Sequence, residues 1–511
     1  MMSLSARLAA LPKRLHHIIA THPHAAPALY EHGEVMTFAM LRDAVEELAQ
    51  TLRDEGVRAG DRVMLVAENS RLLVAAILAA SQLDAWAVII NARLSAGEIE
   101  AIRQHCAARR VLFSSAVSTD AAAHAERAGA QIRQSALLGS YHLGPLNEAC
   151  APEPVHADPA MQVAAMIYTT GTTGAPKGVM LTHRNLMFVA DTARTMRKLT
   201  EADSVFAVLP FSHVFGLSSV CLASLYAGCS QHLEARFDPA KMIRALANDN
   251  ISMMLGVPAM FAKALELADT QHIELRAPTL RFMYAGGSPL DQTLKDTVEQ
   301  RFGCALHNGY GLTESSPTIS HTRVDQPRRD TSVGPPIDGV EVRLLNSQRS
   351  APVAPGEVGE LWVRGPNVMK GYYRAEQQTA AVIDAEGWFN TGDLARADAD
   401  GALFIVGRSK ELIIRSGFNV YPPEVEAALN AYPGVVMSAV VGRAVDGNEE
   451  VVAFIQVLAP ETFDLAALQA FLAAQLAPYK RPGEVRILSS LPAAASGKVL
   501  KHQLQKMAMH A

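Results

Sequence analysis

Tyr168-Thr-Thr-Gly-Thr-Thr-Gly-Ala-Pro-Lys177-Gly178 decides how this chain is read. The segment holds three glycines, four threonines and one lysine. Glycine lets backbone N–H groups turn toward an anion. Threonine hydroxyls add donors, and lysine adds a point charge. Thr169, Thr170, Gly171, Thr172, Thr173, Gly174 and Lys177 are therefore expected to hold the phosphates of a nucleotide. The loop is not a Walker A loop, which needs Gly, four residues, then Gly-Lys-Ser/Thr. Counting from Gly171, position 176 is proline, and Lys177 is followed by Gly178. Phosphates are held here, but not in the manner of a GTPase or a motor ATPase.

At 511 residues the chain exceeds one ordinary domain, so two to four units are expected. Apolar residues make up 49% and charged residues 19%, enough for sizeable cores. A net charge of −5 makes no case for nucleic acid or an anionic membrane as partner. Cys106, Cys150, Cys221, Cys229 and Cys304 are odd in number and scattered, as reduced thiols in a cytoplasm would be. Neither zinc-site spacing nor an H-E-x-x-H run occurs. Pro12 and Lys13-Arg14 break the N-terminal segment, so a signal peptide is not expected. Residues 204–233 lack Asp, Glu, Lys and Arg and have the length of a membrane span. Pro210, Ser212, His213, Gly216 and Gly228 interrupt them, which favours a buried strand, turn and helix.

Phe38, Leu41, Val45, Leu48 and Leu52 recur at helical spacing, and Gly56 closes that helix. Val63-Met-Leu-Val66 reads as a buried strand, 71–81 as a helix and 85–90 as the next strand. Strands at 110–113, 204–209 and 252–255 and a helix at 239–248 continue the alternation, the pattern of parallel α/β sheets. After Thr331 the texture changes. Val340-Glu-Val-Arg-Leu-Leu345 and Gly359-Glu-Leu-Trp-Val363 alternate with period two, which predicts a β-rich subdomain. Beyond Gly407-Arg408-Ser409-Lys410 come a helix at 422–430, strands at 435–441 and 451–458, a helix at 465–476 and a strand at 485–488. That is a small α+β unit. The predicted division is 1–407 (β-rich over 331–407), a hinge at 408–412, and a C-terminal unit at 413–511.

Further segments carry chemistry. Ala285-Gly-Gly-Ser-Pro289 follows a predicted strand, and its small residues allow close backbone approach. Asn308-Gly-Tyr-Gly-Leu-Thr-Glu314 offers a carboxylate, and Mg²⁺ is often held by one carboxylate plus substrate phosphates. Trp388-Phe-Asn-Thr-Gly-Asp393 offers a carboxylate able to accept from both hydroxyls of a sugar. Phe404-Ile-Val-Gly-Arg408, Arg415-Ser-Gly-Phe-Asn-Val-Tyr421 and Gly497-Lys498 follow in order. Each alone has a plain reading: a Gly/Thr turn, a strand-ending turn, a hairpin, a solvated lysine.

In this order, from about Thr37 to the C-terminus, the segments resemble the adenylate-forming superfamily: acyl-CoA synthetases, peptide-synthetase adenylation domains and firefly-type luciferases. The motifs are most similar to those of fatty-acyl and coumarate-type CoA ligases. The resemblance implies a large N-terminal α/β domain of layered sheets with a β-rich subdomain, and a small mobile α+β lid. It implies that ATP and Mg²⁺ activate a carboxylate as acyl-AMP, releasing pyrophosphate, and that coenzyme A then takes the acyl group. Gly286, Gly287 and Ser288 would line the adenine and acyl pocket, with Asn308, Gly309 and Tyr310 at the adenine. Thr313 would touch the α-phosphate and Glu314 hold Mg²⁺, while Asp393, Ile405 and Arg408 would contact the nucleotide, the two charges at the ribose. Lys498 would stabilise charge at the bridging oxygens. Here the chain departs from relatives, which usually carry Arg or Lys and Thr after the proline, whereas it has Pro492-Ala-Ala-Ala-Ser496. Lys410 would be the hinge, and Ser416, Gly417 and Phe418 would line the CoA tunnel.

In the matching acyl-pocket segment, Pro210-Phe-Ser-His213-Val-Phe215-Gly-Leu-Ser-Ser219, His213 would sit near the reacting carboxylate. Phe215, Ser219, Tyr284 and Gly309 suggest an apolar or aromatic acyl group. Amino-acid-activating relatives carry an Asp in this region; none occurs over 204–233, and an unpartnered buried ammonium is costly. No carrier-protein segment follows Lys498, which favours a free-standing CoA ligase. The other readings are a stand-alone adenylation enzyme loading a carrier protein, a luciferase-like oxygenase, and a silent nucleotide-binding scaffold. The expected partners are a small carboxylic acid, ATP and CoA, with no nucleic acid and no transmembrane segment; a homodimer is left open.

Overall fold

The computed structural model describes residues 3–170, 176–445, 448–494 and 497–509. Gly171, Thr172, Thr173 and Gly174 of the phosphate-loop reading lie outside the described residues, as does the side chain of Thr170.

Two eight-stranded sheets share one apolar core. Strand Arg62–Ala67 shows why its sequence is apolar throughout. Val63, Leu65 and Ala67 point into the core between the sheets, while Met64 and Val66 pack on the other face with Ile99 and Ile102 of helix Ala96–Cys106. A strand covered on both faces reads as a continuous apolar run. Helices Arg71–Gln82 and His183–Met196 lie in the shared core, with Ile77 and Leu186 fully buried. Each such side chain contributes about 1.5–3 kcal/mol by leaving water.

The other large sheet positions the site. Ser204–Ala207, Met253–Gly256, Phe282–Ala285 and Leu306–Gly311 run parallel and adjacent. Their carboxyl ends lead into Pro210 and His213, into Gly286-Gly287, and through Asn308 to Gly311. Ligands of open α/β sheets bind at that edge. Both sheets are mixed, because antiparallel strands cap the parallel runs at their edges. The sequence predicted only the parallel alternation, since a hairpin at an edge leaves the strand–helix rhythm intact.

The β-rich part is a four-stranded antiparallel sheet in which Asp393 and Arg408 face each other across two strands. The C-terminal region has a three-stranded sheet and its own cores, one around Val440, Val451 and Leu468 and one around Phe454 and Leu504. Helices Pro239–Asn248 and Pro422–Asn430 and strand Arg110–Phe113 fall on their expected bounds. Residues 204–233 form strand, turn and helix as expected, with one difference: Phe215–Leu222 is a π-helix. A Cβ on Gly216 would lie 2.2 Å from the Pro210 carbonyl oxygen, so only glycine lets this widened turn sit on the preceding bend. No helix among the described residues is long and apolar enough to cross a membrane.

Candidate active site

At the end the motifs assign to ribose, Asp393 is 3% exposed. The turn before it is fixed by its own side chains: Gly392 N–H donates to Asn390 Oδ1 at 2.8 Å, and Asp393 N–H to Thr391 Oγ1 at 3.1 Å. Arg408 Nε lies 3.1 Å from one Asp393 oxygen, and the Tyr310 hydroxyl donates to the other. Burial pushes the Asp393 carboxyl above its usual range, against the pull of Arg408, Tyr310 and Lys498. An acceptor held at that desolvation cost gains from further donors such as sugar hydroxyls. Asn308 is the strut beneath: its amide donates to the carbonyls of Thr331 and Ser332, and its Oδ1 accepts from Gly309 N–H at 2.9 Å. Ile405 is half-buried on the strand that carries Arg408.

Lys177 and Glu314 come together through Tyr372. The Tyr372 hydroxyl donates to Glu314 Oε1 at 2.9 Å, and Lys177 Nζ lies 5.2 Å from the centre of its ring. Strand Gly371–Tyr372 pairs with Pro176–Thr182, which carries Lys177, and Met369 N–H donates to the Glu314 carbonyl at 2.8 Å. Thr313 is buried in the same short turn as Glu314. Thr169 pairs with Lys177 across the mouth of the loop. The second Glu314 oxygen is a hard donor of the kind that, with substrate phosphates, would suit Mg²⁺.

At the acyl end, Phe215 and Tyr284 meet edge to face at 5.6 Å. A Cβ on Gly286 would lie 2.8 Å from the Tyr284 ring, and one on Gly309 would lie 2.1 Å from its hydroxyl oxygen. The ring therefore occupies space that only glycine leaves free. Gly287 has φ of +79°, and Ser288 is half-buried after it. His213 Nδ1 accepts from Phe215 N–H at 3.3 Å, which puts the ring proton on Nε2. Burial and the nearby Lys498 charge lower its pKa to about 4, so it is a neutral donor at pH 7. Ser219 is buried in the π-helix.

Two C-terminal loops have different positions. Gly497-Lys498 docks on the large domain: a Cβ on Gly497 would meet Val257 Cγ2 at 2.8 Å. Burial first, then Arg408, lowers the Lys498 pKa, and its charge acts on Asp393 and His213. Ser416, Gly417 and Phe418 form the tip of hairpin Ile413–Arg415 and Phe418–Val420, away from that cluster. Phe418 is 55% exposed and stacks on Tyr479, while Ser416 N–H donates to Asn448 Oδ1, both C-terminal partners. Lys410 lies in an exposed turn between the two regions.

Sequence reasoning missed Tyr372 and Val257. Tyr372 owes its place to a strand pairing across about 190 residues, for which no local signal exists. A Gly-Tyr-Tyr run between the strands of the β-rich part was the available hint.

The AMP-binding enzyme family matches residues 15–373, and the AMP-binding enzyme C-terminal domain matches residues 424–498. A feruloyl-CoA synthase of an Amycolatopsis species is 34% identical over 95% of this chain and 96% of its own length. The ATP-bound structure of MatB from Rhodopseudomonas palustris superposes with a TM-score of 0.85 at 28% identity, covering 98% of this chain and 99% of that one. The apo structure of the same protein covers the same shares, also at 28% identity, with a TM-score of 0.75. The chain belongs to the AMP-binding enzyme family, among its AMP-forming acid–CoA ligases.

Proposed function

We propose that this ligase activates a carboxylic acid with an apolar or aromatic body and passes it to coenzyme A. The observation that carries the reading is the convergence of Lys498 with Asp393, Arg408 and His213, which come from separate parts of the chain. Asp393 and Arg408 orient the ribose, Tyr310 and Asn308 shape the adenine side, and Lys177 meets the β- and γ-phosphates with the Thr169–170 segment. Thr313 would touch the α-phosphate and Glu314 would hold Mg²⁺, which would supply charge neutralisation on the phosphate oxygens. The substrate carboxylate is already ionised, so no base is required; the chain's task is positioning and charge stabilisation. Neutral His213 donates from Nε2 to the carboxylate oxygen that does not attack. The other oxygen bonds to the α-phosphorus as the bond to pyrophosphate breaks, with Lys498 at the bridging oxygen.

The C-terminal unit, 413–511, then turns about 408–412. Lys410 absorbs the rotation, and Ser416, Gly417 and Phe418 replace Lys498 against the large domain for thiol attack. The exposure of Phe418 supports this, since a large apolar side chain is left in water by the first arrangement. Phe215, Ser219, Tyr284 and Gly309 would line the acyl chamber, and the feruloyl-CoA synthase likeness favours an aromatic body. Composition and the free thiols suit a cytoplasmic enzyme. The test is pyrophosphate release across a panel of carboxylic acids, with and without CoA. Acid-dependent release together with a CoA thioester supports the reading. Release with no thioester from any acid moves carrier-protein loading ahead.

A further inference from the structure

Arg197 ends helix His183–Met196 and is 1% exposed. Its Nη1 donates to the Ser219 carbonyl at 2.5 Å, while Nε has no hydrogen-bond partner among the described residues. Its guanidinium carbon lies 5.6 and 5.4 Å from the ring centres of Phe282 and Tyr284. No described carboxylate pairs with it; its charge is felt by Tyr284, His307 and His321, none of which is anionic at pH 7. Arg62, equally buried, differs in having a counter-charge: it donates to the carbonyls of Cys106, Gly60 and Ala151 and has Glu153 at 3.9 Å, with only Nη2 unpartnered among the described residues.

Other polar atoms without a partner among the described residues lie on neighbouring segments of the chain. Ser218, next to the Ser219 whose carbonyl takes Arg197, is fully buried and its Oγ has no partner among the described residues. His321 stacks on Tyr284 at 4.7 Å; its Nδ1 faces the Thr322 carbonyl and its Nε2 has no partner among the described residues. Tyr284 joins this cluster to the acyl end through its contacts with Phe215 and Gly309. A cation at a helix C-terminus is favourable, but that effect needs no burial beneath aromatic rings. A buried guanidinium without a counter-charge is costly, and a carboxylate is the group its donors fit in pairs.

We propose that Arg197 receives a second carboxylate at the distal end of the acid, so that this ligase selects dicarboxylic acids with an apolar or aromatic midsection. One carboxylate lies by His213 and reacts; the other pairs with Arg197 near Tyr284. The absence of an Asp over 204–233 fits the same sign of charge. This rests on the ligase reading above and narrows its substrate.

The experiment compares kcat/KM for pyrophosphate release with matched pairs: suberate against its monomethyl ester, and 4-carboxycinnamate against its 4-methyl ester. The wild type should favour at least one diacid by tenfold or more. Arg197→Met should lose that preference while activity on the esters stays within threefold, and Arg197→Lys should recover part of it, with the change appearing mainly in KM. If Arg197→Met does not fold, the wild-type ratios decide. Monocarboxylates and esters turned over as well as or better than every diacid overturn the proposal and leave the ligase reading standing. Silence with every acid overturns both.

Discussion

The nucleotide end and the acyl end of this site treat buried charge in opposite ways. At the nucleotide end Asp393 is buried with Arg408 on one oxygen, Tyr310 on the other, and Lys498 nearby. At the acyl end Arg197 is buried with one carbonyl and aromatic faces around it. The first arrangement is complete in charge before any ligand arrives, which suits a nucleotide common to every turnover. The second lacks a counter-charge, and the identity of the acid is written in what is missing there. A site can thus be read from its unsatisfied atoms as well as from its contacts.

The largest expected effect breaks the nucleotide end alone. Lys498→Ala removes the positive charge from the bridging oxygens, a loss worth roughly 10²–10³ in rate. Acyl-adenylate formation should fall by that factor, while thioester formation from supplied acyl-adenylate stays near wild type. Equal loss in both half-reactions would sink the role given to Lys498. Asp393→Asn comes next. It keeps the shape but weakens a charge-assisted hydrogen bond worth about 1.5–3 kcal/mol, so KM for ATP should rise roughly tenfold to a hundredfold. Arg408 is 45% exposed and can be resolvated, so stability should change little. An unchanged KM would move the ribose site elsewhere. Lys410→Pro tests whether the two C-terminal loops exchange places. The thioester step should slow about tenfold more than adenylation, because a fixed φ restricts the turn that must rotate. Equal effects on both steps would count against a hinge at Lys410.

Much of this was legible in the sequence because the signals are local. Period-two strands after Thr331, the fully apolar 63–66 run and the helix at 422–430 follow from burial patterns within a few residues. The motif segments around Asp393, Glu314 and Lys498 were likewise readable, since small residues and charges sit side by side in the chain. What escaped depends on distance in sequence. Tyr372 reaches Glu314 through an edge-strand pairing, and Val257 receives the Gly497 turn from the far end of the chain. Arg197 belongs to an Arg-Lys pair after a helix, a sequence that carries no mark of burial. Only the packing of Phe282, Tyr284 and His321 over it turns it into a buried cation. The π-helix was hidden for a related reason: a helix of Gly, Leu, Ser and Val has no sequence mark of its width until Gly216 is seen against Pro210.

The smallest effect sharpens the comparison through pH. His307 stands on the acyl side beneath Phe282, 4% exposed, with Nδ1 3.1 Å from Thr322 Oγ1. Burial, then Lys295, lower its pKa to about 4; Glu299 pulls it back up, and Arg197 pushes it down. In the unfolded chain it titrates near 6.5. Above pH 6.5 both states are neutral and nothing changes. Between about 6.5 and 4 the unfolded chain takes a proton that the folded one refuses, so this histidine makes folding less favourable as pH falls through that window. Asp393 has the opposite sign, because its raised pKa lets the folded state take a proton at higher pH than the unfolded chain does. Urea unfolding at pH 7, 6 and 5 should therefore show falling stability in the wild type. His307→Gln should flatten that fall by on the order of 1 kcal/mol, while Asp393→Asn should leave it as steep or steeper. If the slope is the same with and without His307, its ring is not held neutral, and the charge map of the acyl end must be redrawn with Arg197 less isolated than its neighbours make it.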